Sequence, residues 1–284
     1  MSARFGTVPR TALILVGLAV LILAVLLLTD RGDLTSATLV LVAFACFITG
    51  LFLFSFRREE RIGQQTAALM AVPYTNTLSR ILADLGVTGT AHFIPVPGDG
   101  TFPAPVMQYN PVSGSDLPDR LTEDLTFQTE ETAGGHPGVL TVPSCIPLLS
   151  MMERERSLTL PPTEPELLEA IREVHQDLLE LTPKATVTKS GSEIVVELQD
   201  FRLIEGCKAA QDESPRNCVT APCPVCSLAG VMLAKALQKP CSIEQVLVDR
   251  KTDTIEVRIR VKEEGTALKG TVIDSPSDQG TLSE

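Results

Sequence analysis

A chain of 284 residues is long enough for one large domain or two modest ones, each with a true hydrophobic core. Its formal charge of −11 and pI near 4.9 exclude the clustered Lys and Arg that phosphate binding requires, and with no Trp and two Tyr it lacks a base-stacking platform. Nucleic acid is therefore not an expected partner.

The apolar fraction of 44% is ordinary, but much of it is concentrated in residues 11–56. Residues 11–29 carry no charge, and thirteen of them are Leu, Ile or Val. As a helix they would be roughly 28 Å long against a hydrocarbon layer of ~30 Å, and their insertion is favoured by roughly 4–8 kcal/mol. Residues 38–56 are also charge-free and hold five of the ten phenylalanines, Phe44, Phe47, Phe52, Phe54 and Phe56. Between them Asp30-Arg31-Gly32-Asp33 reads as a tight polar turn. The first run is longer than the core of a signal peptide, so a two-helix transmembrane hairpin is expected.

Sidedness follows from the flanking bases. Arg4 and Arg10 precede the first helix and Arg57, Arg58 and Arg61 follow the second, whereas the loop sets one Arg against two Asp. The positive-inside rule places both termini in the cytoplasm of a multi-pass protein of the cell membrane, with the lipid bilayer and other membrane proteins as its partners.

Beyond Arg61 the helix is expected to run through Gln64 and Ala68 and to stop near Pro73. A second short helix follows over Asn76–Leu85 and ends at Gly86. Residues 91–162 are dense in Pro and Gly, with short apolar runs such as His92-Phe93-Ile94 between them, and read as a loop-rich, β-containing region. From residue 163 the pattern sharpens. Thr163 as a capping hydroxyl, Pro165 and early acids start a helix whose apolar face is Leu167, Leu168, Ile171, Val174, Leu178 and Leu179. Strands follow at Lys184–Thr188 and Glu193–Leu198, then a loop from Phe201 to Ala221, a helix over Cys226–Gln238, and strands at Ile243–Val248 and Thr254–Lys262. In the last, Ile255, Val257, Ile259 and Val261 alternate with Glu256, Arg258, Arg260 and Lys262, which marks a strand with one packed face.

The expected fold class is thus α+β, a transmembrane hairpin plus a cytosolic domain with helices against a mostly antiparallel sheet. Its parts are a cytoplasmic N-terminus (1–10), spans at 11–29 and 38–56 around an external loop (30–37), a juxtamembrane helix with the Pro/Gly-rich region (57–162), a cysteine-containing α+β domain (163–262) and a disordered acidic tail (263–284).

Candidate chemistry lies in the cysteines. Cys46 falls in the second span and Cys145 stands alone, but Cys207, Cys218, Cys223, Cys226 and Cys241 fall within 35 residues. In a reducing compartment such a group serves metal binding, redox chemistry or plain packing. Cys223-Pro-Val-Cys226 has the spacing that lets two sulfurs reach one ion, and Cys218 with Cys241, or Cys207 as the alternative ligand, would complete a tetrahedral set for zinc. The run C-x4-C-x2-C also matches part of an iron–sulfur spacing. As a redox pair, Cys223 would sit at a helix N-terminus whose partial charge favours thiolate. His92, His136 and His175 are scattered, and no triad, P-loop or zincin motif occurs, so no catalytic residue is assigned.

A cysteine-flanked, Gly-bearing helix (Cys226, Gly230), then Ile243-Glu244 and a closing strand pair, make residues 206–261 resemble the vinyl-reductase-like small-molecule-binding domain. The whole chain is similar to uncharacterised prokaryotic two-helix membrane proteins that carry a cytosolic domain. The resemblance implies ligand binding. The leading expectation is a membrane-anchored cytosolic binding or sensing module, with or without a Cys-bound metal. The alternatives are a membrane-bound thiol or iron–sulfur redox protein and a scaffold subunit with inert cysteines.

Overall fold

The computed structural model describes residues 7–29, 34–55, 63–97, 100–114, 116–119, 121–122, 125–130 and 132–262. The hairpin turn at Asp30–Asp33, the flanking Arg4, Arg57, Arg58 and Arg61, and the tail 263–284 lie outside the described residues. The chain divides into two units, Met1–Ile62 and Gly63–Glu284.

In the first unit α1 (Thr7–Thr29) and α2 (Leu34–Ser55) pack along each other. On α1 the covered positions Leu15, Ala19, Ile22 and Leu26 recur at helical spacing, and on α2 they are Ala43, Cys46 and Gly50. Small residues at the centre let the backbones approach closely. Large apolar side chains on their other faces stay uncovered, including Ile14, Val20, Leu21, Leu41, Phe44 and Phe52. Among the described residues the apolar helical stretches are Ile14–Leu26 and Ala37–Phe52. The one segment among the described residues long and apolar enough by composition to cross a membrane, Asn217–Leu237, is 78% buried inside the second unit.

The second unit is α+β. Helices α3 (Gln64–Met70) and α4 (Val72–Asp84) lead into β1 (His92–Pro95), β2 (Val106–Pro111), β3 (Phe127–Gln128) and β4 (Gly138–Thr141). Next come α5 (Ile146–Glu155), α6 (Glu164–Glu173) with a π-helical turn (Val174–Leu178), β5 (Lys184–Ser190) and β6 (Glu193–Gln199). Helices α7 (Ile204–Glu213), α8 (Asn217–Thr220) and α9 (Pro224–Leu237) precede β7 (Cys241–Asp249) and β8 (Thr254–Val261). The strands form one antiparallel sheet in the order β3-β4-β2-β1-β7-β8-β6-β5. Strands from residues 92–141 and from residues 184–261 therefore share a single sheet, joined where His92 and Phe93 face Ser242 and Cys241.

Helix α9 is apolar all round, and every residue from Cys226 to Ala234 is buried, as expected of a central core helix. It can lie this close to the sheet because Gly230 has no side chain. A Cβ there would meet the Phe93 ring at 2.5 Å. On β8 the alternation holds, with Ile255, Val257 and Ile259 in the core and Glu256, Arg258 and Arg260 less covered. A second cluster, including Ile94, Phe102, Met107, Tyr109 and Leu140, packs apart from the core that holds α9.

Several local expectations need correction. The helix through Gln64 and Ala68 ends at Met70, near Pro73 as expected, but the next begins at Val72 and not Asn76, with Pro73 in its first turn, where a missing N–H has no intrahelical partner to lose. The Thr163 hydroxyl makes no capping bond to backbone and instead donates to the Glu166 carboxylate at 2.5 Å. The expected loop from Phe201 to Ala221 contains α7 and α8. Apart from Ile204, their buried positions are small or polar, Gly206, Cys207, Ala210, Asn217, Cys218 and Thr220, and give little apolar periodicity to read.

Candidate functional site

The site grows from the start of α9. Cys223 takes the N-cap position with extended backbone angles and Pro224 opens the helix. The preceding loop is fastened from both sides. Ser144 donates to the Pro222 carbonyl at 2.9 Å and lies 3.2 Å from Ser227, which in turn donates to the Cys223 carbonyl at 3.0 Å. His175, in the π-helical turn, is buried with Nδ1 2.7 Å from the Ile171 carbonyl, and its ring is also in hydrogen-bonding contact with the backbone of Val225. It packs against the site and is not aimed into it.

Helix α7 closes the far side. Gly206 lies so near α3 that a Cβ would sit 2.3 Å from the Ala68 carbonyl oxygen. Helices α4, α7 and α8 are tied by a polar seam. Asn217 Nδ2 donates to Ala210 O at 3.1 Å and to Asn76 Oδ1 at 3.0 Å, and Ser79 donates to Asn217 Oδ1 at 2.8 Å. Arg80 pairs with Glu213 at the rim.

Between these helices is an apolar cavity of about 300 Å3. Ala68, Ala71 and Thr75 line it from one side and Gly206, Ala210 and Val225 from the other, and Cys207, Cys218 and Cys223 place their side chains in its wall. Thr75 is its one anomaly. The residue is 1% exposed, and Oγ1 has no hydrogen-bond partner among the described residues. A buried hydroxyl left unpaired costs about 1–3 kcal/mol, so such a group calls for an explanation.

The thiols are not equivalent. Cys207 and Cys223 both act on the ionisation of Cys226. The Cys226 thiol, helped by nearby amides of Cys226 and Val225, holds Cys223 below the ordinary thiol range despite burial. None of these amides makes a full capping bond to the sulfur, so their partial charges act at short range. Cys226 itself is pushed well up by Cys207, by Cys223 and by burial. Burial also raises Cys218, and it raises Cys145 and Cys241 to about 12. The arrangement is one acidic, half-buried sulfur backed by the Cys226 thiol, whose own acidity is suppressed, at the edge of an apolar space. Chemically it offers a soft nucleophile.

Of the residues expected to bind metal, Cys218, Cys223 and Cys226 share this corner. Cys241 does not: it lies in β7, opposite Phe93 and Val261, with its thiol 3.5 Å from the Lys239 carbonyl. Cys207, the alternative ligand, is the one in contact with Cys226. As they stand, no three His, Cys, Asp or Glu side chains among the described residues are grouped to hold one ion. The cavity and Thr75 are absent from the sequence reading, since their walls come from segments more than a hundred residues apart.

No curated protein and no solved structure matches the chain. Residues 1–261, which take in both the helical pair and the whole sheet, match a family described as a domain of unknown function, DUF7982, and the chain belongs to that family.

Proposed function

We propose that this protein is a membrane-anchored cytosolic module that binds a small, mainly apolar ligand in the cavity between α3, α4, α7 and α9. It senses the ligand and does not transform it. The observation that carries this reading is Thr75, a buried hydroxyl without a partner among the described residues, on the wall of an apolar space of ligand size. A ligand with one polar atom would satisfy it.

The anchor is the helical pair. Helices of 23 and 22 residues are roughly 34 and 33 Å long, enough for a bilayer core. They cover one stripe of each other and leave large apolar side chains exposed on the remaining faces, Leu28 at 87%. In water that surface would be a liability, whereas lipid covers it. The intact chain is expected to stay in the pellet after alkaline carbonate extraction, and its recovery in the supernatant would remove the anchor.

Ligand binding is tested on the full chain in micelles with phenol and toluene, a matched pair that differs by one hydroxyl. Phenol should protect against thermal unfolding more than toluene. Thr75→Val should erase that preference, by about tenfold in relative affinity, while stabilising the ligand-free protein by about 1 kcal/mol. Protection by neither probe would end the reading.

A further inference from the structure

Resting on that binding reading, we infer that the cavity is specific for an uncharged amphiphile of about a dozen non-hydrogen atoms, a medium-chain alcohol in its simplest form, and that it turns away the matching fatty acid. The space measures about 300 Å3. A cavity of about 150 Å3 is enough to take up benzene, so phenol fills about half of this one and a molecule of about twice that size fills it. At the Thr75 end the wall is closed by small buried residues, Ala68, Gly206 and Ala210. At the other, Leu179, Leu181 and Leu203 are half-buried and form an apolar rim. A hydroxyl placed at Thr75 therefore leaves its chain to run towards those leucines, and each methylene covered strengthens binding from water about fourfold.

Charge decides the head group. Among the described residues the lining holds no Lys, Arg, His, Asp or Glu. Charged side chains come nearest at the rim, where Leu179-Glu180-Leu181 and Phe201-Arg202-Leu203 are tied together by the Arg202 amide, which donates to the Leu181 carbonyl at 2.8 Å. In both segments the flanking apolar residues line the cavity, whereas Glu180 and Arg202 are exposed and pair with each other at 3.5 Å. His175 lies behind the wall with Nδ1 against the Ile171 carbonyl, and the groups of the lining that can ionise are the thiols of Cys207, Cys218 and Cys223. A carboxylate drawn inside would lose its water and meet no positive charge, the costliest kind of burial. It enters only after taking up a proton, and an ammonium only after giving one up. An alcohol is neutral throughout, and its hydroxyl can both donate to and accept from Thr75. Molecules of this class dissolve in lipid, so the bilayer of an anchored protein is their reservoir.

The test is equilibrium dialysis of the full chain in phosphatidylcholine nanodiscs, with protein-free nanodiscs as the blank and affinity referred to total ligand in the aqueous phase. From hexanol to decanol the affinity should rise about fourfold per methylene, and beyond dodecanol it should level off. At pH 7.5 decanoate should bind on the order of a thousandfold more weakly than decanol, which is the cost of protonating a carboxylate of pKa about 4.3, and it should gain about tenfold at pH 6.5. Decylamine, with a pKa of about 10.4, should be weaker than decanol by a similar factor at pH 7.5 and gain about tenfold at pH 8.5. Decanol itself should bind equally at all three. A plateau already reached at hexanol overturns the size. Decanoate or decylamine that rivals decanol at pH 7.5 overturns the uncharged head. In either case protection by phenol leaves the binding reading standing, whereas failure of phenol and of every alcohol to bind is the failure of that reading itself.

Discussion

Gly206→Ala is expected to lower the melting temperature by about 4–8 °C, a net loss of about 2 kcal/mol. Two effects oppose each other. Alanine is the better helix former by about 1 kcal/mol, which would favour the variant within α7. Against that, its Cβ would lie 2.3 Å from the Ala68 carbonyl oxygen and 3.0 Å from the carbonyl carbon. These are backbone atoms, which cannot rotate away, so α7 and α3 must part, and forced repacking of this kind costs up to about 3 kcal/mol. The origin of the contact gives the prediction a sharp control. Ala68→Gly trims a side chain that the clash does not involve, so the double variant should regain nothing. Recovery in the double variant, or a melting temperature at or above that of the parent, would show that the helices are not held at this distance.

The same glycine shows where sequence reading stops. Strands were legible wherever one face is packed and one is wet: Ile255, Val257 and Ile259 against Glu256, Arg258 and Arg260 need no structure to interpret. Helix α9 was legible because its apolar run is long, although it starts at Pro224, two residues before the expected Cys226. Helix α7 was not, because a helix that touches its neighbours through Gly206, Cys207 and Ala210 carries no large apolar stripe. Strands β1, β3 and β4, of four, two and four residues, were too short for a period to register among the prolines. At the site, the spacing of Cys223 and Cys226 pointed to the right corner. Yet Cys207 and Cys241 were equivalent candidates on paper, since nothing local says that one is on a helix facing Cys226 and the other in a strand beside Lys239. The cavity was invisible for the same reason, being a property of α3 and α7 brought together from residues 68 and 206.

His92 leads to the largest effect of pH. The residue is 1% exposed and neither ring nitrogen has a hydrogen-bond partner among the described residues. Burial pushes its pKa from 6.5 down to about 4, repulsion from Lys262 adds to the shift and Asp116 partly opposes it. Glu244, beside Lys262 and 3.7 Å from Arg260, steadies the cations of that edge. In the unfolded chain the imidazole takes up its proton near pH 6.5, whereas the folded protein refuses it until about pH 4. Above pH 6.5 the group imposes no penalty. As pH falls from 6.5 towards 4, the unfolded state binds a proton that the native state does not, and stability drops by about 3 kcal/mol in all. Below that window both states are protonated and this contribution is constant. His175 is lowered in the same direction, chiefly by burial, so the parent protein should lose more than His92 alone removes. Paired carboxylates such as Glu169 and Asp249, both held low, release their own contribution only at more acidic pH. The two windows therefore separate. Melting temperatures of the full chain at pH 7.5, 6.5, 5.5 and 4.5 should fall less steeply in His92→Leu than in the parent, with the gap opening between about pH 6.5 and 4. Parallel curves for the two proteins would mean that His92 finds a partner in solution and is not an orphan.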